Sequence, residues 1–270
     1  MDKIDFKKQL GQNFIFDTNL LRFIVESADV NKDDKVIEIG AGAGTLTNQI
    51  ALQAKEVFSF EIDKTLQDRL LKLSNEHNNL KFVFEDFMKV DLTKYIDKDE
   101  KIKVVANIPY YITTPIIFKL LDFASNITTM MFMVQKEVAE RFCAESNTKQ
   151  YGITSVILQS IADVRYVRTV KKECFTPAPK VDSALIRLDL KKDKFNIDNR
   201  EFFVDFIHSC FSMRRKTLVN NLLKNYSFTR IQIEKTLKDC GVDVMARPES
   251  LTIETFVNLA NNFQKMSNKK

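Results

Sequence analysis

The chain has 270 residues, 44% of them hydrophobic and 29% charged, with a formal net charge of +5, which suffices for one large domain plus a small one. No apolar run approaches the roughly 20 residues of a membrane helix, and residues 1–8 lack a signal-peptide stretch, so a cytoplasmic protein is expected. Cys143, Cys174, Cys210 and Cys240 form no C-x-x-C pair and the only histidines are His77 and His208, a pattern that predicts reduced thiols and no metal site.

Residues 6–28 read as a lid segment followed by a helix. Lys35 to Ile39 is then a short β-branched run, Gly40-Ala41-Gly42-Ala43-Gly44 follows it, and Thr45 to Ala51 has helical spacing. Strand, tight turn and helix therefore succeed one another. Glycines there let the backbone turn sharply and let a ligand approach the main chain. The G-x-G-x-G spacing departs from the G-x-G-x-x-G of dinucleotide binders, whose helix N-terminus faces a pyrophosphate. It suits S-adenosylmethionine, which has no phosphate. Glu61, with Ile62 after it, ends the next strand-like run and stands where such folds place a carboxylate for ribose hydroxyls. A third run, Lys81 to Phe84, leads into Asp86 and Phe87, an acceptor for an adenine amine and a cover for its ring face.

The fourth run, Lys103 to Ala106, closes on Asn107-Ile108-Pro109-Tyr110. An exocyclic amine on adenine is a poor nucleophile because its lone pair is delocalised into the ring. An asparagine carbonyl oxygen and a neighbouring backbone carbonyl, each accepting one N–H, pull that nitrogen toward tetrahedral geometry and aim its lone pair at a methyl carbon. Pro109 fixes its own φ and biases Ile108 toward extended geometry. Tyr110 offers a stacking face worth roughly 1–3 kcal/mol. Loop and tetrapeptide together point to an adenine methyltransferase.

Strand and helix patterns alternate from Val36 to about Gln135, which predicts a mainly parallel sheet covered by helices. Residues 166–170 and 183–188 read as two further strands, with Pro177 and Pro179 stiffening the loop that carries Phe175. Residues 189–194 are polar and read as a linker. Beyond it, Phe202, Phe203, Phe206, Ile207, Cys210 and Phe211 fall at helical spacing, and runs at 218–223, 231–237 and 256–263 behave likewise. Residues 194–270 hold 13 basic and 8 acidic residues, leaving 28 and 28 for residues 1–193, so the whole net charge is C-terminal. Arg214-Arg215-Lys216 opens the second of these helices, where the dipole disfavours cations, and contact with phosphate is a reason for it to be there.

The chain resembles the ribosomal RNA adenine dimethyltransferases, and their small-subunit branch most. The resemblance runs from Gln9-Leu10-Gly11-Gln12-Asn13-Phe14 nearly to the end, through residues 135–141, Tyr151-Gly152, Phe175 to Ala184 and Arg214 to Leu218. It implies an α/β fold, a Rossmann-like class I S-adenosylmethionine-dependent methyltransferase with a mainly parallel sheet ending in an antiparallel hairpin, plus a small all-helical C-terminal domain. The expected division is a catalytic domain at 1–193 and an RNA- or ribosome-docking domain at 194–270.

By the same resemblance Asn13 and Ile15 contact the cofactor, Gly40 lies under it and Glu61 holds its ribose, with Gly42 and Ile62 also expected at the cofactor. Asp86 and Phe87 would hold its adenine, and Asn107 would serve both cofactor and target. Ile108 and Pro109 belong to the catalytic segment, and Tyr110 and Phe175 would flank the target base. Arg214, Arg215 and Lys216 would meet RNA. The implied reaction is dimethylation of adenosines, two adjacent ones in a loop near the 3′ end, in the small-subunit RNA of a partly assembled subunit, by a monomer that releases S-adenosylhomocysteine. Ala41, where the family often has proline, and Ile15, where leucine is frequent, are mild departures. Two rivals stand beside this: a large-subunit RNA methyltransferase conferring macrolide resistance, and a noncatalytic RNA-binding assembly or transcription factor. Thr113-Thr114-Pro115 resembles the small-subunit branch, and intact Glu61, Asp86, Asn107 and Tyr110 speak for catalysis.

Overall fold

The computed structural model describes residues 11–191 and 194–267. The chain starts with β1 (Phe14–Ile15) and α1 (Thr18–Ser27), then β2 (Lys35–Ile39), α2 (Thr45–Gln53), β3 (Glu56–Phe60), α3 (Gln67–Glu76) and β4 (Leu80–Val83). It continues with β5 (Ile102–Asn107), α4 (Thr113–Leu121), β6 (Ile127–Gln135), α5 (Lys136–Phe142), α6 (Ile153–Gln159), β7 (Ala162–Val170), β8 (Phe175–Thr176) and β9 (Ser183–Leu190). Four helices follow: α7 (Arg200–Cys210), α8 (Leu218–Asn225), α9 (Arg230–Asp239) and α10 (Ile253–Ser267).

Seven strands form one sheet in the order β4-β3-β2-β5-β6-β9-β7. The pairs β2–β3, β3–β4, β2–β5 and β5–β6 are parallel, and β9 runs antiparallel to β6. Strands buried on both faces read as unbroken apolar runs, as in β6, where Met130, Met131, Phe132, Met133 and Val134 are all buried. The chain leaves β2 toward β3 on one side and returns as β5 on the other. That reversal opens a crevice beyond the C-terminal ends of β2 and β5, where the glycine loop and Asn107 stand. In α1 the Asp17 side chain accepts from the amides of Asn19 and Leu20, satisfying two groups a helix start leaves without partners. Leu20, Leu21, Ile24 and Val25 turn inward.

The chain divides into two compact units, residues 1–139 with 165–192, and residues 140–164 with 193–270. This differs from the single cut after residue 193 expected from sequence. The segment 140–164 shares its core with the C-terminal helices: Val156, Ile157 and Leu158 of α6 are buried, the Tyr151 ring meets Phe211 edge-on at 6.4 Å, and Asn147 N donates to Glu249 O at 2.8 Å. The polar stretch read as a linker also begins later, because Asp189 and Leu190 belong to β9 and Asp189 accepts from Thr129 Oγ1 and Arg187 Nε. Lys192 and Asp193, like residues 6–10 of the expected lid, lie outside the described residues. In the second unit α7 buries Phe203, Phe206, Ile207 and Cys210, and Phe206 stacks on Phe263 of α10 at 5.5 Å. Among the described residues, no helix is long and apolar enough to cross a membrane.

Candidate functional site

A cleft with about 990 Å³ of empty space opens at the sheet's switch point. Asn13, Ile15, Gly40, Gly42, Glu61, Ile62, Asp86, Phe87 and Asn107 all line it, as do Ile108 and Pro109. The structure thus brings together the residues read from four strand ends and the N-terminal segment.

The glycine loop is tied down from within. Gly40 N and Ala41 N donate to Phe60 O at 2.8 and 3.1 Å, Gly44 N to Ala41 O at 2.9 Å, and Gly42 N to Glu61 Oε2 at 2.7 Å. Those four amides are spent on the protein itself, so the loop does not present them as the phosphate cradle of a dinucleotide fold. Gly42 has φ +55°, and a Cβ there would stand 2.7 Å from the Phe14 ring. Phe14 is therefore packed onto the loop backbone, a close approach only glycine permits. Thr45, the first residue of α2, adds a second tie by donating to Ile15 O at 2.7 Å.

Glu61 is 5% exposed, and its second oxygen accepts from Asp63 N at 2.7 Å. Burial raises its pKa, opposed by these amide bonds. Each oxygen retains a lone pair to accept a ligand hydroxyl. Ile62 beside it is 48% exposed, an apolar surface facing the cleft. Asp86 caps a 3-10 turn at Phe87–Lys89 through Met88 N, while Oδ2 faces Lys89 at 3.9 Å. The Phe87 ring meets Phe60 edge-on at 5.3 Å.

Asn107 Nδ2 donates to Asn13 O at 2.8 Å. That bond settles which end of the amide is the donor and leaves Oδ1 as the acceptor. Pro109 O accepts from Ile112 N at 3.1 Å and so belongs to the following turn. Tyr110 is not among the cleft residues. Its hydroxyl shares a hydrogen bond of 2.5 Å with Ser183 Oγ, and burial raises the phenol pKa. Tyr111 lines the cleft instead, 65% exposed and with its ring against Gly11. Phe175, expected to flank the target base, is 3% exposed and packs in the core that holds Ile15, Leu21 and Leu46. The pairing of β1 with β8, which sets Ile15 opposite Phe175, puts it there. Phe14, Thr45, Tyr111 and Ser183 were missed because each acts through a partner distant in sequence.

In the second unit Arg214, Arg215 and Lys216 are exposed in the turn before α8. Fully buried Asn221 shapes that turn: its Oδ1 accepts from Met213 N and Ser212 Oγ, and its Nδ2 donates to the carbonyls of Met213, Lys216 and Thr217. Arg214 also donates to Lys149 O at 3.3 Å.

Fold and cleft define a Rossmann-like class I S-adenosylmethionine-dependent methyltransferase with a helical C-terminal region. A family model described as ribosomal RNA adenine dimethylase matches residues 3–265. A ribosomal RNA small subunit methyltransferase A from Clostridium acetobutylicum is 42% identical, covering 95% of this chain and 93% of its own. One from Oceanobacillus iheyensis is 40% identical over 98% and 92%. Among solved structures, a dimethyladenosine transferase from Plasmodium falciparum superposes with a TM-score of 0.82 at 26% identity, covering 94% of this chain and 98% of its own. The 23S rRNA methyltransferase ErmE superposes with a TM-score of 0.72 at 28% identity, over 93% and 100%. The chain belongs to the ribosomal RNA adenine dimethylase family and is an rRNA adenine dimethyltransferase.

Proposed function

We propose that this enzyme dimethylates the exocyclic amine of adenosines in small-subunit ribosomal RNA, two adjacent ones in a loop near the 3′ end, while the subunit is partly assembled. Asn107 carries the reading. With Nδ2 committed to Asn13 O, its Oδ1 accepts one amine N–H and Ile108 O the other, drawing the lone pair out of conjugation. Bound S-adenosylmethionine supplies an electrophilic methyl carbon on a sulfonium. Glu61 holds its ribose hydroxyls, Asp86 Oδ2 its adenine amine, and Ile62 and Phe87 bound the purine. The amine becomes acidic once methylated and loses its proton to water, so no side chain is required as a base.

For the RNA class, the support is relatives named as small-subunit enzymes at about 41% identity, against 28% for the large-subunit ErmE. The target adenine must leave its stack, which costs a few kcal/mol and least in a loop. The basic turn Arg214–Lys216 supplies phosphate contacts, and the unit bearing it is assigned to docking. Mapping dimethyladenosine in both ribosomal RNAs of cells with and without the gene tests this. Loss of the modification from small-subunit RNA is expected; loss confined to large-subunit RNA overturns the proposal.

A further inference from the structure

Lys119 lies in the last turn of α4, where a cation ordinarily offsets its own helix dipole. Its ammonium instead reaches another segment and donates to Phe87 O at 2.8 Å, Met88 O at 3.0 Å and Val90 O at 2.6 Å. All three N–H groups of the ammonium are thereby used. The carbonyls belong to the end of the 3-10 turn that Asp86 begins; Phe87 O also accepts from Val90 N at 3.3 Å, so the ammonium reinforces the turn's own closing bond and joins it to the carbonyls of Met88 and Val90. The ammonium also sits 5.4 Å from the centre of the Phe87 ring, within cation–π range. Burial lowers its pKa while Asp86, Asp91 and Asp122 oppose that.

The segments it joins are the two walls of the cleft. Glu85, Asp86, Phe87 and Met88 form one, and Asn107 to Pro109, with Ile112 and Ile116 of the α4 segment, form the other. Charge-assisted bonds to three carbonyls of one short turn leave that turn little freedom. Asp86 begins that turn, so its place relative to Asn107 depends on the clamp.

We infer that Lys119 is a positioning residue for the adenine subsite, holding Asp86 and Phe87 in register with Asn107 so that the cleft prefers an adenine bearing its amine. The inference rests on Asp86 as acceptor for that amine. The test compares S-adenosylmethionine with its inosine counterpart, in which a carbonyl replaces the amine, by calorimetry and single-turnover methylation. Wild type should bind the adenine form more tightly. Lys119→Met should weaken binding of the adenine form about tenfold and the inosine form, which loses only the placed Phe87 face, by no more than about threefold, and should lower affinity more than the rate at saturating cofactor. Lys119→Gln, which keeps two donors, should fall between and serves if the methionine variant does not fold. Equal weakening of both cofactors, or none, overturns the role of Lys119. If wild type does not discriminate, or Asp86→Asn leaves discrimination intact, the assignment of Asp86 falls, and this inference with it.

Discussion

Tyr110 Oη and Ser183 Oγ lie 2.5 Å apart, joining the Asn107–Tyr110 segment to the start of β9 across 73 residues of sequence. Ser183 is fully buried, so the bond anchors the tyrosine to the sheet. Stacking alone would tolerate Tyr110→Phe. The anchor changes that expectation: Tyr110→Phe and Ser183→Ala should each slow single-turnover methylation by roughly 3- to 10-fold, the worth of one hydrogen bond, with cofactor affinity unchanged. The double variant should be no slower than either alone. Additive losses would show that the two hydroxyls act separately.

Glu61 accepts one amide from the glycine loop, Gly42 N, and one from its own connection after β3, Asp63 N. Removing it costs loop order as well as ribose contact. Glu61→Ala should therefore lower stability without cofactor by about 1–3 kcal/mol and weaken S-adenosylmethionine binding roughly tenfold or more. Glu61→Gln should also destabilise, because its NH2 group would face one of those donors. Denaturation and calorimetry measure the two effects; a glutamine variant as stable as wild type would remove at least one amide bond from the account.

Glu38 is fully buried, accepts from Ser59 Oγ at 2.5 Å, and is pushed up to about 7 from 4.5 by burial. The folded protein thus favours the protonated acid. Its contribution is full below pH 4.5 and is lost as pH rises through about 7, by at most ~3 kcal/mol. The advantage of wild type over Glu38→Gln in urea unfolding should shrink across that window. Parallel pH profiles for the two proteins would contradict it.

Replacing Arg214, Arg215 and Lys216 together with alanine should weaken small-subunit binding and reduce the log–log salt slope by roughly 0.7–0.9 per lost phosphate contact. S-adenosylmethionine binding should stay as it was. Asn221→Ala, which leaves net charge unchanged but unties the turn, should also lower RNA affinity. A triple variant with the wild-type salt slope would make this turn a solvated surface.

Much of the cleft was legible in the sequence because a parallel sheet delivers its strand ends to one edge. Once Val36–Ile39, Val57–Phe60, Lys81–Phe84 and Lys103–Ala106 read as successive strands, the residues after each had to gather at the switch point. The glycine spacing and the Asn-Ile-Pro-Tyr order then carried the chemistry locally. Glu61, Asp86 and Asn107 needed no knowledge of distant partners, and all three line the same cleft. What tertiary structure alone decided were contacts between segments with no shared periodicity. The β1–β8 pairing turned Phe175 into the core. Lys119, an ordinary last-turn lysine by sequence, became a clamp on carbonyls 29 to 32 residues away. Residues 140–164 joined the C-terminal helices because their apolar side chains pack there, while the polar stretch near residue 193 suggested a single cut. Hydrophobic period and strand-end chemistry are written in neighbouring residues; which buried donor meets which carbonyl is settled only when the chain has packed.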